Sequence, residues 1–87
     1  MVKYKIKIRR SAAKEINKLP VKEIKRVLKI ADSLAEDPRP AGCSKLSNDD
    51  KYRIRFSVYR LLYEIYDDLL LIIIVKVAHR KDAYRYN

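Results

Sequence analysis

The chain has 87 residues, the length of one domain, and its single cysteine, Cys43, excludes an internal disulfide bond and a zinc site built from cysteines. It carries 21 Lys and Arg residues against 11 Asp and Glu residues, a formal net charge of +10 that favours a nucleic acid or an acidic protein as partner. No apolar run is long enough to span a bilayer as a helix, and no signal-peptide core is present. We therefore expect a cytoplasmic protein with a single domain over residues 1–87.

The N-terminal half predicts a strand followed by two helices. Lysines alternate with Val2, Tyr4, Ile6 and Ile8, a pattern typical of a strand at or near a sheet edge. Ser11 is the expected N-cap of a helix over residues 12–19, and Pro20 separates it from a second helix over residues 21–36. Three- and four-residue spacings give the second helix an apolar stripe of Ile24, Val27, Leu28, Ala31, Leu34 and Ala35.

Residues 51–65 predict a hairpin with a two-residue loop at Ser57 and Val58. This register places apolar residues opposite each other: Phe56 opposite Tyr59, Ile54 opposite Leu61 and Tyr52 opposite Tyr63. On the reverse face it places Arg55 opposite Arg60, and two cations in that position repel each other unless an anion lies between them. Because Ser and Val are poor residues for a tight turn, a loop one residue longer remains open.

Residues 69–77 form an almost unbroken apolar run that is rich in β-branched residues. Such a run predicts a strand inside the sheet with both faces covered, entered through a turn at Asp67 and Asp68. The order is then β-α-α-β-β-β. We expect an α+β fold in which a mostly antiparallel sheet carries a two-helix hairpin on one face.

Two segments are rich in side chains suited to binding and chemistry: the predicted hairpin, and the residues that follow the last predicted strand. These side chains are guanidinium and ammonium groups, one imidazole and a phenol. If the open face of the sheet is concave, they line a single basic groove. No carboxylate pair, phosphate-binding loop or metal-spaced set competes with this cluster, so we expect neither a metal nor another cofactor. The predicted members are Arg53, Arg55, Arg60, His79, Arg80, Lys81 and Tyr84.

These residue types suit the cleavage of RNA. The reaction activates a ribose 2'-OH, builds negative charge on a phosphorane and protonates the leaving 5'-oxygen. Fixed guanidinium groups can stabilise that charge, and His, Tyr or Lys can transfer the protons. Other cations would contact phosphates, and we predict this RNA-binding role for Lys45, Lys51, Lys81 and Arg85.

Three segments resemble the RelE branch of the RelE/ParE toxin superfamily: Tyr-Arg-Ile-Arg at 52–55, Tyr-Arg-Leu-Leu-Tyr at 59–63 and Val-Ala-His-Arg-Lys-Asp-Ala-Tyr at 77–84. Gly42 and Lys45-Leu46 also match the family. The resemblance implies the RelE-like microbial RNase fold and a ribosome-dependent endonuclease that cuts mRNA in the A site. It implies a RelB-like antitoxin whose acidic, amphipathic segment covers the basic groove, and a toxin–antitoxin complex able to bind operator DNA. The family's catalytic positions fall on Arg53, Arg55, Arg60, Arg80 and Tyr84.

The hairpin departs from the family in one respect. Positions that commonly hold lysine in the family hold arginine in this chain. Arginine hardly acts as a general base because its pKa exceeds 12. Our hypothesis is that His79 or Tyr84 transfers the proton while the arginines hold charge. Two alternatives stay open at this point: a ParE-like inhibitor of DNA gyrase without nuclease activity, and a non-catalytic RNA-binding module.

Overall fold

The computed structural model of the chain describes residues 3–46, 51–79 and 81. These described residues include two α-helices, five strands and a short 3₁₀ turn. In chain order these are β1 (Lys5–Ile8), α1 (Arg10–Asn17), α2 (Val21–Glu36), β2 (Ser44–Lys45), β3 (Lys51–Phe56), β4 (Tyr59–Tyr66), the turn Asp67–Leu69 and β5 (Leu71–His79). The strands form one sheet in the order β1-β5-β4-β3-β2, parallel between β1 and β5 and antiparallel elsewhere.

This architecture confirms the predicted α+β fold and element order, and it adds the two-residue strand β2. Both helices pack on one face of the sheet, where apolar residues of α1 and α2 join those of the strands in a single core. The fully buried side chains include Val27 and Leu34 from α2, Leu61 and Tyr63 from β4, and Ile72 from β5. The core therefore lies between the helical pair and the strands β4 and β5.

The structure confirms the predicted bounds of α2 and corrects those of α1. Helix α1 begins at Arg10, its N-cap is Arg9, and no side chain caps it, so the prediction of Ser11 as N-cap was wrong. The reason is that the amide of Arg9 still bonds to the carbonyl of Ile74 (3.0 Å), which leaves no room for a longer connection after β1. Leu28, assigned to the apolar stripe of α2, is 53% exposed.

The hairpin of β3 and β4 has the predicted register, with Arg55 opposite Arg60 and Phe56 opposite Tyr59. Its loop has two residues, and the first of them, Ser57, adopts a φ of +54°. This left-handed conformation is uncommon for a residue other than Gly, Asn or Asp, and it explains why the loop sequence looked unfavourable. The strands hold the register despite that turn.

Strand β5 lies inside the sheet as predicted, between β1 and β4, but it begins later than the apolar run does. Leu69 and Leu70 belong to the preceding turn and are exposed, and Leu70 has a φ of +49°. Ile72 and Ile74 face the core and are fully buried. The pairing with β4 shifts by one residue beside Leu62, so β5 is irregular in the middle.

Candidate nucleic-acid interface

Three arginines of the hairpin lie together on the face of the sheet that points away from the helices. Tyr52 and Phe56 belong to the core, and alternation along β3 therefore turns Arg53 and Arg55 to the other face. Arg60 lies directly across from Arg55, with about 5 Å between their Cβ atoms. The predicted gathering of these three side chains is confirmed.

The three arginines differ in exposure. Arg55 is exposed, Arg53 is half-buried and Arg60 is only 4% exposed. Among the described ranges, no ion pair involves Arg53 or Arg55. The hairpin thus presents accessible guanidinium groups beside a third one that packing holds in place.

A carboxylate lies further along the same face without neutralising those arginines. Glu64 is 8% exposed, accepts a hydrogen bond from the Tyr66 hydroxyl (2.9 Å) and pairs with the Arg9 guanidinium (3.7 Å). It is four positions from Arg60 along β4, which is about 13 Å. In register it lies opposite Lys51, which shares the face of Arg53. The positive charge at the hairpin end of this face is therefore not balanced by Glu64.

His79 does not belong to this cluster. It lies opposite Tyr59 in the sheet, and the two rings meet edge to face with centroids 5.6 Å apart. Tyr59 packs against the core, so the imidazole lies on the helix side of the sheet, and its Nδ1 accepts a hydrogen bond from the amide of Lys81 (3.1 Å). The prediction that His79 lines one groove with the arginines was therefore wrong; two-residue alternation from the buried Val77 would have shown this.

The other residues with a predicted RNA-binding role do not all lie on the face of the hairpin arginines. Lys45 on β2 lies opposite Tyr52 and therefore faces the helix side of the sheet, away from Arg53. Lys81 follows β5 and is exposed. Arg80, Tyr84 and Arg85 lie outside the described residues.

Helix α1 supplies a carboxylate that fixes the end of β5, a contact that sequence reasoning missed. Strand β1 pairs with β5 only as far as Ile74, so the edge of β5 beyond that point needs another hydrogen-bond partner. Glu15 provides it: one carboxylate oxygen accepts from the amide of Val77 (3.0 Å) and the other from the Lys76 ammonium (2.5 Å). The end of β5 that leads to His79 is thereby tied to α1.

At the opposite end of the sheet, hydrogen bonds of Arg39 and Asp67 join four segments of the chain. The Arg39 guanidinium donates two hydrogen bonds to the Asp67 carboxylate (2.9 and 3.3 Å) and one to the Tyr52 hydroxyl (3.1 Å), and Tyr4 donates to Asp67 (2.7 Å). The bonds from Arg39 and then Tyr4 lower the pKa of Asp67. The sequence predicted only a solvated turn residue here.

The described residues contain no group of His, Cys, Asp and Glu side chains that could hold a metal ion. No helix among them is long and apolar enough to cross a membrane.

Comparisons with known proteins agree with the sequence resemblance. Residues 6–84 match the family model described as the ParE toxin of the type II toxin–antitoxin system. The chain is 31% identical over 85 residues to toxin RelG of Mycobacterium tuberculosis, covering 94% of this chain and 97% of that protein.

Solved structures extend this agreement to the fold. A RelE–RelB complex from Pyrococcus horikoshii matches with a TM-score of 0.82 and 31% identity, covering 92% of this chain and 97% of that one. The RelBE2 complex of M. tuberculosis matches with a TM-score of 0.80 and 28% identity, covering 91% and 100%. The chain therefore belongs to the ParE toxin family of type II toxin–antitoxin systems and is a toxin of its RelE-like branch.

Proposed function

We propose that this toxin is a ribosome-dependent endoribonuclease that cuts mRNA in the ribosomal A site and so inhibits translation. The observation that carries the proposal is the grouping of Arg53, Arg55 and Arg60 on one face, with Arg55 held directly opposite Arg60. Arg55 is exposed, and within the described residues neither Arg53 nor Arg55 is in an ion pair, which suits a surface that receives an anion. The backbone of mRNA is such an anion, and RelE-type relatives support this assignment.

In the proposed reaction the 2'-oxygen of a ribose attacks the adjacent phosphorus, and the bond to the 5'-oxygen breaks. The phosphorane carries one more negative charge than the substrate, and the guanidinium groups of Arg55 and Arg60 stabilise it without moving. Arg80 would add a third guanidinium group. We assign proton transfer to Tyr84 rather than His79, because the imidazole lies on the other face of the sheet. Phosphate contacts from the remaining cations would make binding depend strongly on salt.

The proposal includes the compartment in which the toxin acts and the partner that inhibits it. The toxin acts in the cytoplasm as a single domain and is held inactive by an antitoxin, as the solved RelE–RelB complexes of its relatives suggest. Binding of operator DNA would belong to the toxin–antitoxin complex. A second candidate function is inhibition of DNA gyrase by protein contact, which the description of the matching family as ParE favours.

Mapping of mRNA 5'-ends after brief expression separates these functions. We expect wild type to cut within translated codons, and Arg55→Ala, Arg80→Ala and Tyr84→Phe each to lower the rate by about 10²-fold, since each removes a few kcal/mol of transition-state stabilisation. The control is Lys25→Ala, which removes one charge from an exposed position on α2. It should cut like wild type.

The outcomes distinguish the candidates. A loss below tenfold in Arg55→Ala would contradict the role given to the hairpin arginines. DNA damage without mRNA cuts would indicate the gyrase inhibitor instead. RNA binding without either effect would leave the non-catalytic RNA-binding module.

A further inference from the structure

Strand β5 contains a bulge close to its C-terminal end. Two neighbouring residues of β4 lie opposite Ile74 and Lys76, so Val75 between them is an extra residue without a partner on β4. Without this extra residue, two-residue alternation from the buried Ile74 would turn Lys76 into the core. With it, Val77 takes the core position, and the residue after Val77 faces the hairpin arginines. The bulge therefore sets the register of the last part of β5.

The register after the bulge places a small side chain beside Arg60. Arg60 lies opposite Ala78 of β5 on one side and opposite Arg55 of β3 on the other. It is almost fully buried, so its position depends on the residues that pack around it. A slip of β5 by one residue would bring Val77 or His79 to the place of Ala78. The geometry of Arg60 thus depends on β5 keeping this register.

Glu15 of α1 supports β5 at the bulge. Strand β1 pairs with β5 only as far as Ile74, and beyond that point the Glu15 carboxylate accepts from the Val77 amide (3.0 Å) and from the Lys76 ammonium (2.5 Å). Successive amides of a strand point to opposite edges. A slip of one residue would therefore turn the Val77 amide away from α1 and break its bond to Glu15. That bond favours the observed register over the slipped one.

We propose that Glu15 is a positioning residue for mRNA cleavage, because its bond to the Val77 amide holds the register of β5 and with it the geometry of Arg60. The inference rests on the proposed nuclease, in which Arg60 stabilises the charge of the phosphorane. Fixed charges act only where they point at the reacting group, and a displacement of about 1 Å can cost about 10²-fold in rate. Arg80 and Tyr84 follow β5 in the chain, so the same bond fixes the strand end from which they continue.

Two substitutions separate the hydrogen bond of Glu15 from its charge. Glu15→Gln keeps an oxygen that can accept from the Val77 amide but loses the ion pair with Lys76, whereas Glu15→Ala loses both. Each purified toxin is assayed on ribosomes that carry a defined mRNA. We expect Glu15→Ala to lower kcat about tenfold or more with KM unchanged, since the phosphate contacts remain. Glu15→Gln should restore the wild-type kcat.

The side chain of Arg60 gives a second measurement that needs no cleavage. Its Nε is buried, so the N–H group is shielded from water and can be followed by NMR of the free toxin. We expect this signal to shift or broaden in Glu15→Ala and to keep its wild-type position in Glu15→Gln. A general loss of stability would not distinguish the two variants in this way.

Two controls separate positioning from stability. Glu23→Ala removes a carboxylate from the other helix, where Glu23 is buried and lies 3.7 Å from Arg26. Tyr63→Phe destabilises the fold by about 1 kcal/mol from within β4. Both should keep the wild-type kcat and Arg60 signal, with thermal melts to show that each variant is folded. If Glu15→Ala is unfolded, Glu15→Asp replaces it, because the shorter side chain keeps the charge and loses reach.

Other results overturn the inference in distinguishable ways. An unchanged kcat and Arg60 signal in Glu15→Ala would refute the positioning role and leave the proposed nuclease intact. An equal fall of kcat in Tyr63→Phe would assign the effect to stability, and an equal fall in Glu15→Gln would assign it to the ion pair. A change in KM alone would place Glu15 in ribosome binding. Failure of wild type to cut mRNA would refute the nuclease and the catalytic role of Glu15 together, whatever the Arg60 signal shows.

Discussion

The hairpin arginines lead to a prediction in which stability and activity change in opposite directions. Arg55 lies directly across from Arg60, and like charges in that position destabilise a sheet by about 0.2–1 kcal/mol. Arg55→Thr removes one of the two charges and introduces a residue that favours strands. We therefore expect the free energy of unfolding to rise by about 0.5 kcal/mol while mRNA cleavage falls by about 10²-fold.

The expected change in Tm follows from the length of the chain. At about 2.1 cal/mol/K per residue, 87 residues give an unfolding entropy near 0.2 kcal/mol/K, so about 0.5 kcal/mol corresponds to about 3 °C. The gain should be largest at about 0.01 M salt and much smaller at about 1 M, where charges are screened over roughly 3 Å. Thermal melts followed by circular dichroism at both salt concentrations measure it.

Lys51→Thr is the matched control, since Lys51 is on the same strand and face but lies opposite Glu64. Removing an attraction should lower the Tm or leave it unchanged. If Arg55→Thr also lowers the Tm, or if its effect is the same at both salt concentrations, the two arginines do not repel each other. The fold would then already balance the charge of Arg60, and repulsion between the arginines would give no support for an anionic substrate.

Three further predictions concern the contacts that hold the sheet. Because Arg39 and Tyr4 lower the pKa of Asp67, its ionised form stabilises the fold at neutral pH, and this contribution is lost as the pH falls through the lowered value. Melts at several pH values should therefore place wild type above Asp67→Asn at pH 7 and show no difference in strong acid. Tyr63→Phe removes the hydroxyl that donates to the Pro38 carbonyl (2.9 Å) and should cost about 1 kcal/mol in denaturant unfolding. Glu15→Gln can still accept from the Val77 amide, whereas Glu15→Ala cannot, so hydrogen exchange at Val77 should speed up only in the alanine variant.

Much of the fold could be predicted because its elements follow simple periods. The bounds of α2 follow from three- and four-residue spacing, and the hairpin register follows from the alternation of Tyr52, Ile54 and Phe56. The two-residue strand β2 is too short to show any alternation. The turn at Leu69 and Leu70 was missed for a different reason, since leucines that end an apolar run look the same as leucines inside a strand.

The candidate site was predicted less completely because its members come from different faces. The grouping of Arg53, Arg55 and Arg60 needed only the hairpin register. The position of His79 needed the register between β4 and β5, and proximity in sequence to Arg80 gave the wrong face. Contacts such as that of Glu15 with Val77, 62 positions apart, depend on how α1 crosses the sheet, which no local pattern contains.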